Sequence, residues 1–175
     1  HPANIRPKDR YELSNGHAIY CTPVGGQGSV ATTFGGTLID TDPSVQSTGT
    51  DTGFTDNSGT LRAPDLAVGV PNTPGWVQGT PPLAIEYAGV GQDEPSLQEK
   101  IKDLLALGTQ LVWVVRLVGP RRVEVYEPGQ PMRVMTGQDE LTAPGVLSKP
   151  IPVEMFFDRD LAHHLSHAVH VIVDF

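Results

Sequence analysis

The sequence predicts an α/β domain in which helices flank a mixed β-sheet. An apolar strand segment, a capped helix and a second apolar strand follow one another between residues 82 and 118, and hairpins are predicted at the start of the chain and after residue 120. A strand, helix and strand in this order form a crossover connection within one sheet. The length of 175 residues suits one domain that buries a sizeable core without metal or disulfide bridges.

The first half of the chain is predicted to hold a hairpin, a helix and an irregular connection. Asn15-Gly16 supplies the turn of the hairpin over residues 11–24, to which we assign a purely structural role. Val30, Phe34 and Leu38 recur at helical spacing and predict a helix over residues 29–40. The Ser, Thr, Gly and Asp residues of 43–60 indicate turns around at most one short strand.

The second half of the chain is predicted to hold five strands and a second helix. Residues 61–70 form a strand that Pro64 keeps extended, a loop over 71–82 could close over a site, and a central strand follows at 82–90. A helix is predicted to start at Ser96, with Glu99 completing a capping box, and to end at Gly108. Residues 110–118 are a buried strand, followed by a hairpin about a Pro-Gly turn.

Two acids on apolar segments and a lysine on the following helix are the candidate reaction centre. Asp65 lies in LRAPDLAVGV, Glu86 in PPLAIEYAGV and Lys100 in SLQEKIKDLLALG. Burying an unpaired carboxylate is costly, so acids in two successive apolar runs suggest that both bind one cation. A nearby lysine could then orient or deprotonate a water molecule.

A structural interpretation of the same residues stays open. Asp65 could end its strand in solvent, Glu86 could pair with an arginine, and Lys100 could lie on a solvated helix face. The apolar stripe of the second helix places Lys100 beside its buried face, within reach of the preceding strand.

Composition limits the classes of function. Twelve lysines and arginines stand against 20 aspartates and glutamates, a formal net charge of -8, which opposes a strong nucleic-acid role. The single cysteine, Cys21, cannot form an internal disulfide, and no apolar stretch is long enough for a membrane span. We therefore expect a protein of the cytoplasm.

Several short motifs resemble one known family in their order and spacing. The stretch from residue 62 to 156 is similar to bacterial putative restriction-endonuclease-like proteins of the PD-(D/E)XK nuclease superfamily, in the branch whose lysine has moved from the strand to the following helix. The matching elements are Ala63-Pro64-Asp65, Pro82-Leu83-Ala84-Ile85-Glu86, Glu99-Lys100, Leu107-Gly108 with Val112-Trp113-Val114-Val115, Val123-Glu124-Val125-Tyr126, Pro152-Val153-Glu154-Met155-Phe156 and the opening Tyr11-Glu12-Leu13 with Gly16 and Pro23.

The resemblance implies a restriction-endonuclease-like domain over residues 1–157 and a C-terminal extension, 158–175, that packs on the domain or on a partner subunit. It also implies a homodimer that cleaves DNA with Mg²⁺ or Mn²⁺. Asp65, Glu86 and the main-chain carbonyl of Tyr87 would bind the metal, and Lys100 would assist the attacking water.

The sequence departs from the family's pattern near the first helix and after the central acid. Gln27, Gly28 and Ser29 stand where the family has a histidine and a nearby acid, and no serine follows Glu86. Gln27 can ligate or hydrogen-bond in support of the site but cannot act as an acid or base. A catalytically silent nucleic-acid- or protein-binding module on the same fold therefore remains the alternative function.

The C-terminal tail offers a third possibility. His163, His167 and His170 would share one face of a helix, with a spacing that could hold zinc. Residues 167–175 also alternate like a strand, in which case the histidines point to solvent and the tail packs against the body or a second subunit.

Overall fold

The structure, a computed structural model, describes residues 1–163 and is built around a six-stranded mixed sheet. Its strands run in the order β11-β10-β9-β8-β6-β3. Strands β8 and β9 are parallel and the other neighbours in this sheet are antiparallel. The strands are β3 (Thr48–Thr50), β6 (Leu66–Val68), β8 (Leu83–Ala88), β9 (Leu111–Arg116), β10 (Arg122–Tyr126) and β11 (Arg133–Met135).

A second sheet extends the predicted N-terminal hairpin to five strands in the order β2-β1-β5-β4-β7. They are β1 (Tyr11–Ser14), β2 (His17–Tyr20), β4 (Phe54–Thr55), β5 (Leu61–Arg62) and β7 (Val77–Gln78). The hairpin turns through Asn15 and Gly16, both at positive φ, as the sequence predicts. Strands β12 (Glu140–Leu141) and β13 (Ile151–Pro152) form a small third sheet.

Two helices cover opposite faces of the central sheet. Helix α1 (Gly26–Asp40) packs against the face that carries Ile85 and Tyr87, and α2 (Glu94–Leu107) packs against the face that carries Ala84 and Ala88. The parallel pair β8 and β9 is joined through α2, which confirms the predicted crossover. Two short 3-10 helices, Pro2–Asn4 and Val153–Phe156, complete the described elements. Within residues 1–163, no helix combines the length and apolarity needed to cross a bilayer.

The structure corrects the predicted start of α2. Asp93, not Ser96, is the N-cap: its side chain accepts a hydrogen bond from the backbone N–H of Ser96 at 3.0 Å. Pro95 then occupies the first turn, where its missing N–H costs nothing. The predicted end is confirmed, since Gly108 closes the helix at a φ of +115°.

Three other boundaries differ from the sequence prediction. Helix α1 begins at Gly26, inside the glycine-rich stretch, and the segment 43–60 holds two short strands, β3 and β4. The predicted strand 61–70 is split into β5 and β6, which belong to different sheets. These boundaries depend on pairing partners that lie far away in the chain. In addition, strands of two or three residues show almost no periodic pattern.

Gly35 is the closest approach between α1 and the central sheet. A methyl group at this position would overlap the hydroxyl oxygen of Tyr87, which is buried against the helix. At the next residue, Gly36, the nearest atom to such a group would be a Leu66 methyl at 3.4 Å, an ordinary contact. Comparing alanine substitutions at Gly35 and Gly36 therefore distinguishes a steric clash from an effect of helix propensity.

We expect Gly35→Ala to lower the free energy of unfolding by about 1–3 kcal/mol, because a well-packed interface must shift to admit the methyl group. Gly36→Ala should be neutral or stabilise by up to about 1 kcal/mol through helix propensity. Urea titration of both variants measures the difference. Equal stability of the two variants would contradict the proposed close contact.

Candidate active site

Asp65 lies where the chain passes from one sheet to the other. Strand β5 ends at Arg62, and the half-buried Asp65 immediately precedes β6. Leu66 pairs with Ile85, so one further step of this antiparallel register places Asp65 beside Glu86. Its Oδ2 accepts a hydrogen bond from the backbone N–H of Tyr87 at 2.7 Å. Because the predicted strand is split, the carboxylate of Asp65 lies beside the part of β8 that extends beyond its pairing with β6.

Glu86 projects from the centre of β8 toward α2. Side chains alternate along a strand, and its neighbours on the same face, Ala84 and Ala88, pack against α2. Glu86 is only 4% exposed. Among the described residues, none donates a hydrogen bond of good geometry to its buried Oε1. A carboxylate oxygen in this state is a natural ligand for a cation.

Lys100 reaches Glu86 from α2. Its Nζ lies 3.1 Å from Glu86 Oε1 and 3.3 Å from Oε2. The same Nζ lies 3.4 Å from Oε1 of Glu12, a residue of β1. Asp65, Glu86 and Lys100 are therefore brought together, and Lys100 is not on a solvated helix face.

The charges of this cluster shift the pKa values of its members. Burial by itself would lower the pKa of Lys100, but the carboxylates of Glu86 and then Glu12 outweigh it and raise that pKa. Burial raises the pKa of Glu86 well above its usual range, against the opposing attraction of Lys100. Lys100 is therefore a cation at neutral pH, suited to orienting a water molecule or stabilising negative charge and unsuited to removing a proton.

A second buried cation, Arg62, joins the cluster to the N-terminal sheet. Its Nη1 lies 3.2 Å from Glu12 Oε2, and its Nε and Nη2 lie 2.8 and 2.7 Å from Asp103 Oδ2. Glu99 Oε2 is 3.8 Å from Nη2 and accepts, through its other oxygen, a hydrogen bond from Ser14. Residues of β1, β5 and α2 are thus held by one guanidinium that is 2% exposed.

The cluster carries more negative than positive charge. Two cations, Arg62 and Lys100, face six acids: Glu12, Asp51, Asp65, Glu86, Glu99 and Asp103. Partial burial and then repulsion from Asp65 raise the pKa of Asp51, as an excess of negative charge would. A divalent cation at Asp65 and Glu86 would offset this excess, so the residues present fit such an ion.

The donor set suits Mg²⁺ more than a metal held by side chains alone. Within residues 1–163, no three His, Cys, Asp or Glu side chains form a ready metal cluster. Magnesium is commonly held by one or two carboxylates together with water and substrate phosphate oxygens. The N–H of Tyr87 faces Asp65, and because the N–H and C=O of one strand residue point to the same side, its carbonyl faces this edge as well.

Gln27 is not brought to this cluster. It lies exposed in the first turn of α1, where it lines a cavity of about 590 Å³ with Phe34, Arg121, Phe157 and others. Helix α1 covers the face of the sheet opposite to that of Glu86. A supporting role for Gln27 stays a prediction.

One histidine of the zinc site predicted in the tail falls within the described residues. His163 lies within the described residues, whereas His167 and His170 lie outside them. The predicted zinc site is therefore untested. Ala162, at the start of the predicted extension, is buried in the core cluster between α1 and the central sheet.

Five residues of the cluster were absent from the sequence prediction of the site: Glu12, Asp51, Arg62, Glu99 and Asp103. Asp103 gave no readable signal, because on a helix of 3.6 residues per turn it lies off the apolar stripe formed by Leu97, Ile101 and Leu104. Glu12 lies beside buried Leu13 in a four-residue strand, too short for alternation to reveal its partners. Their meeting depends on contacts across 41 and 50 residues of chain.

The fold and the grouping of acids with a lysine define a nuclease-like α/β protein. A family model described as "Uma2: Putative restriction endonuclease" matches residues 2–153, and the chain belongs to this family. In fold it is similar to a solved structure described as a putative nuclease belonging to DUF820 from Anabaena variabilis ATCC 29413, with a TM-score of 0.72 and 20% identity. The match covers 84% of this chain and 89% of that one. No curated protein matches the chain.

We expect Arg62→Met to lower the free energy of unfolding by about 3–5 kcal/mol, because it leaves Asp103 buried without its counter-ion and Glu12 with Lys100 alone. Arg133→Met is the matched control, since Arg133 is half exposed and forms a surface pair with Glu127 that is worth about 0–1 kcal/mol. Urea denaturation measures both. A loss below about 1 kcal/mol in Arg62→Met would show that the buried network is not needed for stability.

Proposed function

We propose that this protein is a divalent-metal-dependent endonuclease that hydrolyses phosphodiester bonds of DNA. The observation that carries the proposal is the position of the Lys100 ammonium, 3.1 Å from Glu86, at the strand edge where Asp65 lies beside Glu86. Two acids and a cation at one strand edge are the groups that metal-assisted phosphodiester hydrolysis requires. Family membership supports the same class of reaction.

In this proposal, Asp65, Glu86 and the carbonyl of Tyr87 hold Mg²⁺ or Mn²⁺. The metal supplies a Lewis acid that polarises the phosphate and lowers the pKa of a bound water molecule. Asp65 is oriented for this task, because the hydrogen bond from the N–H of Tyr87 fixes Oδ2 and leaves Oδ1 for a ligand. Glu86 supplies a desolvated carboxylate whose attraction for a cation is little screened by water.

Lys100 acts as a permanent positive charge in the proposed reaction. Its raised pKa keeps it protonated, so it orients the attacking water and stabilises the charge that develops on the phosphate oxygens. The proton of the attacking water would pass to bulk solvent, helped by the lowered pKa that a divalent cation held by Asp65 and Glu86 would give to a bound water. The sequence also allowed Lys100 to act as the base that deprotonates water. The proposed role keeps only the orientation of water and the stabilisation of charge.

The surface charge favours weak DNA binding. The basic side chains near the turn after β9 are paired: Arg116 with Glu94 and Glu124, and Arg121 with Glu154. Arginines that are already paired with acids contribute little to the release of counter-ions from phosphates. We expect nicking to be favoured by low salt.

A catalytically silent binding module is the second candidate. The observation that favours it is that Lys100 is already neutralised by Glu86 and Glu12. Such a protein would bind nucleic acid or protein without a metal and without nicking.

Two further expectations remain, of which only the homodimer rests on the family resemblance. A homodimer would appear in size-exclusion chromatography with light scattering as twice the 18.8 kDa chain mass. A cytoplasmic location stays a prediction.

Incubation of supercoiled plasmid with the protein and Mg²⁺ or Mn²⁺ at low salt tests the proposed activity. We expect open-circular and linear products that require the metal and disappear in EDTA. Metal-independent retention of intact plasmid in a gel-shift assay would instead support the binding module. Intact plasmid with neither nicking nor retention would overturn the nuclease proposal.

Substitutions in the site test the assignment of residues. We expect Asp65→Asn and Lys100→Met to reduce the nicking rate at least about 100-fold, because the first removes a charge that would hold the metal ion and the second removes the cation that would stabilise the reacting phosphate. Lys102→Met is the matched control, since Lys102 is exposed on the same helix, two residues away. Thermal unfolding of each variant excludes loss of the fold. Full activity in Asp65→Asn would place the reaction elsewhere.

A further inference from the structure

The ammonium of Lys100 lies between two carboxylates that come from different sheets. Glu86 approaches it from the central sheet at 3.1 Å and Glu12 approaches it from the N-terminal sheet at 3.4 Å. A lysine ammonium has three donors and no acceptor, so it can serve both acids at once. The side chain of Lys100 is 15% exposed, and its buried charge needs a partner at all times.

A metal bound at Glu86 would compete with Lys100 for the same oxygens. Two cations near one carboxylate repel each other, and the flexible lysine stem would allow the ammonium to move away. The ammonium of Lys100 would then no longer lie in the site where it is proposed to act. A second carboxylate that the metal does not use would keep it in position.

We propose that Glu12 is this second carboxylate, a positioning residue that retains Lys100 in the site when Glu86 turns to a bound cation. The inference rests on the proposed metal-dependent function. It assigns to the N-terminal hairpin a part in the reaction, where the sequence predicted a purely structural element.

The surroundings of Glu12 fit this task. One of its oxygens, Oε2, lies 3.2 Å from Arg62 Nη1, and Asp103 holds that guanidinium from the other side. The other oxygen, Oε1, is the one that faces Lys100. Glu12 therefore cannot easily follow a metal toward Glu86, because Arg62 fixes it.

The backbone of the hairpin is fixed against α2 close to Lys100. Ser14, two residues along β1, donates a hydrogen bond of 3.3 Å to Glu99, the neighbour of Lys100 in the helix. Leu13 is buried and pairs with Leu61 of β5. The position of β1 beside the helix is thus set by contacts of the two residues that follow Glu12.

The test follows the accessibility of Lys100, which does not depend on activity. Acetic anhydride modifies free amines, and mass spectrometry resolves the four lysines: Lys8, Lys100, Lys102 and Lys149. In the wild type we expect Lys100 to be modified at least about tenfold more slowly than exposed Lys102, both without metal and with saturating Mn²⁺. In Glu12→Gln we expect protection without metal, where Glu86 still holds Lys100, and at least a tenfold faster modification of Lys100 with Mn²⁺.

Kinetics on plasmid give the second readout. Glu12→Gln should lower kcat at least tenfold while the Mn²⁺ concentration for half-maximal activity changes less than about threefold. Glu140→Gln, an exposed acid on β12, is the control and should match the wild type in both measurements. A merely structural role for Glu12 would not make the modification of Lys100 depend on metal.

A second variant guards against misfolding. If thermal unfolding shows that Glu12→Gln is not folded, Glu12→Asp keeps the charge beside Arg62 but withdraws it by one methylene from a contact that is already 3.4 Å long. We expect the same metal-dependent exposure of Lys100 in this variant.

The outcomes separate this inference from the proposed function. Mn²⁺ binding and nicking by the wild type, with Lys100 equally protected in the folded Glu12 variant, would overturn the role of Glu12 alone. Absence of Mn²⁺ binding in the wild type, measured by the electron paramagnetic resonance signal of free Mn²⁺, would overturn the proposed function and this inference together.

Discussion

The buried guanidinium of Arg62 is the interaction on which the rest of the site depends. It contacts Glu12 of β1 and Asp103 of α2 while its own backbone belongs to β5. The N-terminal sheet is therefore attached to the helix that carries Lys100 by charge-assisted hydrogen bonds, in which the planar fork of arginine fixes geometry as well as energy. Apolar packing could join the same elements, but it would not set the position of an ammonium to within a fraction of an ångström.

The excess of acids around Arg62 and Lys100 is poorly explained by stability. Buried ion pairs seldom stabilise a fold more than apolar residues of the same volume, and six acids with two cations leave mutual repulsion. Such an arrangement is understandable where a cation completes it. The pKa of Glu86, which is raised first of all by burial, reflects the same cost of placing negative charge in the interior. Strain of this kind is typical of functional sites.

The three residues that the sequence singled out do lie together, whereas the residues that hold them did not emerge from it. Asp65, Glu86 and Lys100 are conspicuous because a charge interrupts an apolar run or borders an apolar stripe, which is a local pattern. Glu12 and Arg62 lie in strands of four and two residues, where no period can be read. Their role depends on pairing β1 with β5, and on the change of sheet between Arg62 and Asp65.

The sequence by itself determined the α/β class, the crossover through α2, the two hairpins and the glycine end of α2, because each follows from short-range rules of periodicity, turn geometry and capping. It also indicated where α2 lies but not its first residue, since Asp93 and Ser96 both suit an N-cap and only the folded chain selects between them. Tertiary structure alone decided the division of residues 61–70 between two sheets, and with it the position of Asp65 beside Glu86. The physical reason is that strand pairing is long-range: β5 and β6 are chosen by partners far along the chain, and no local preference encodes that choice.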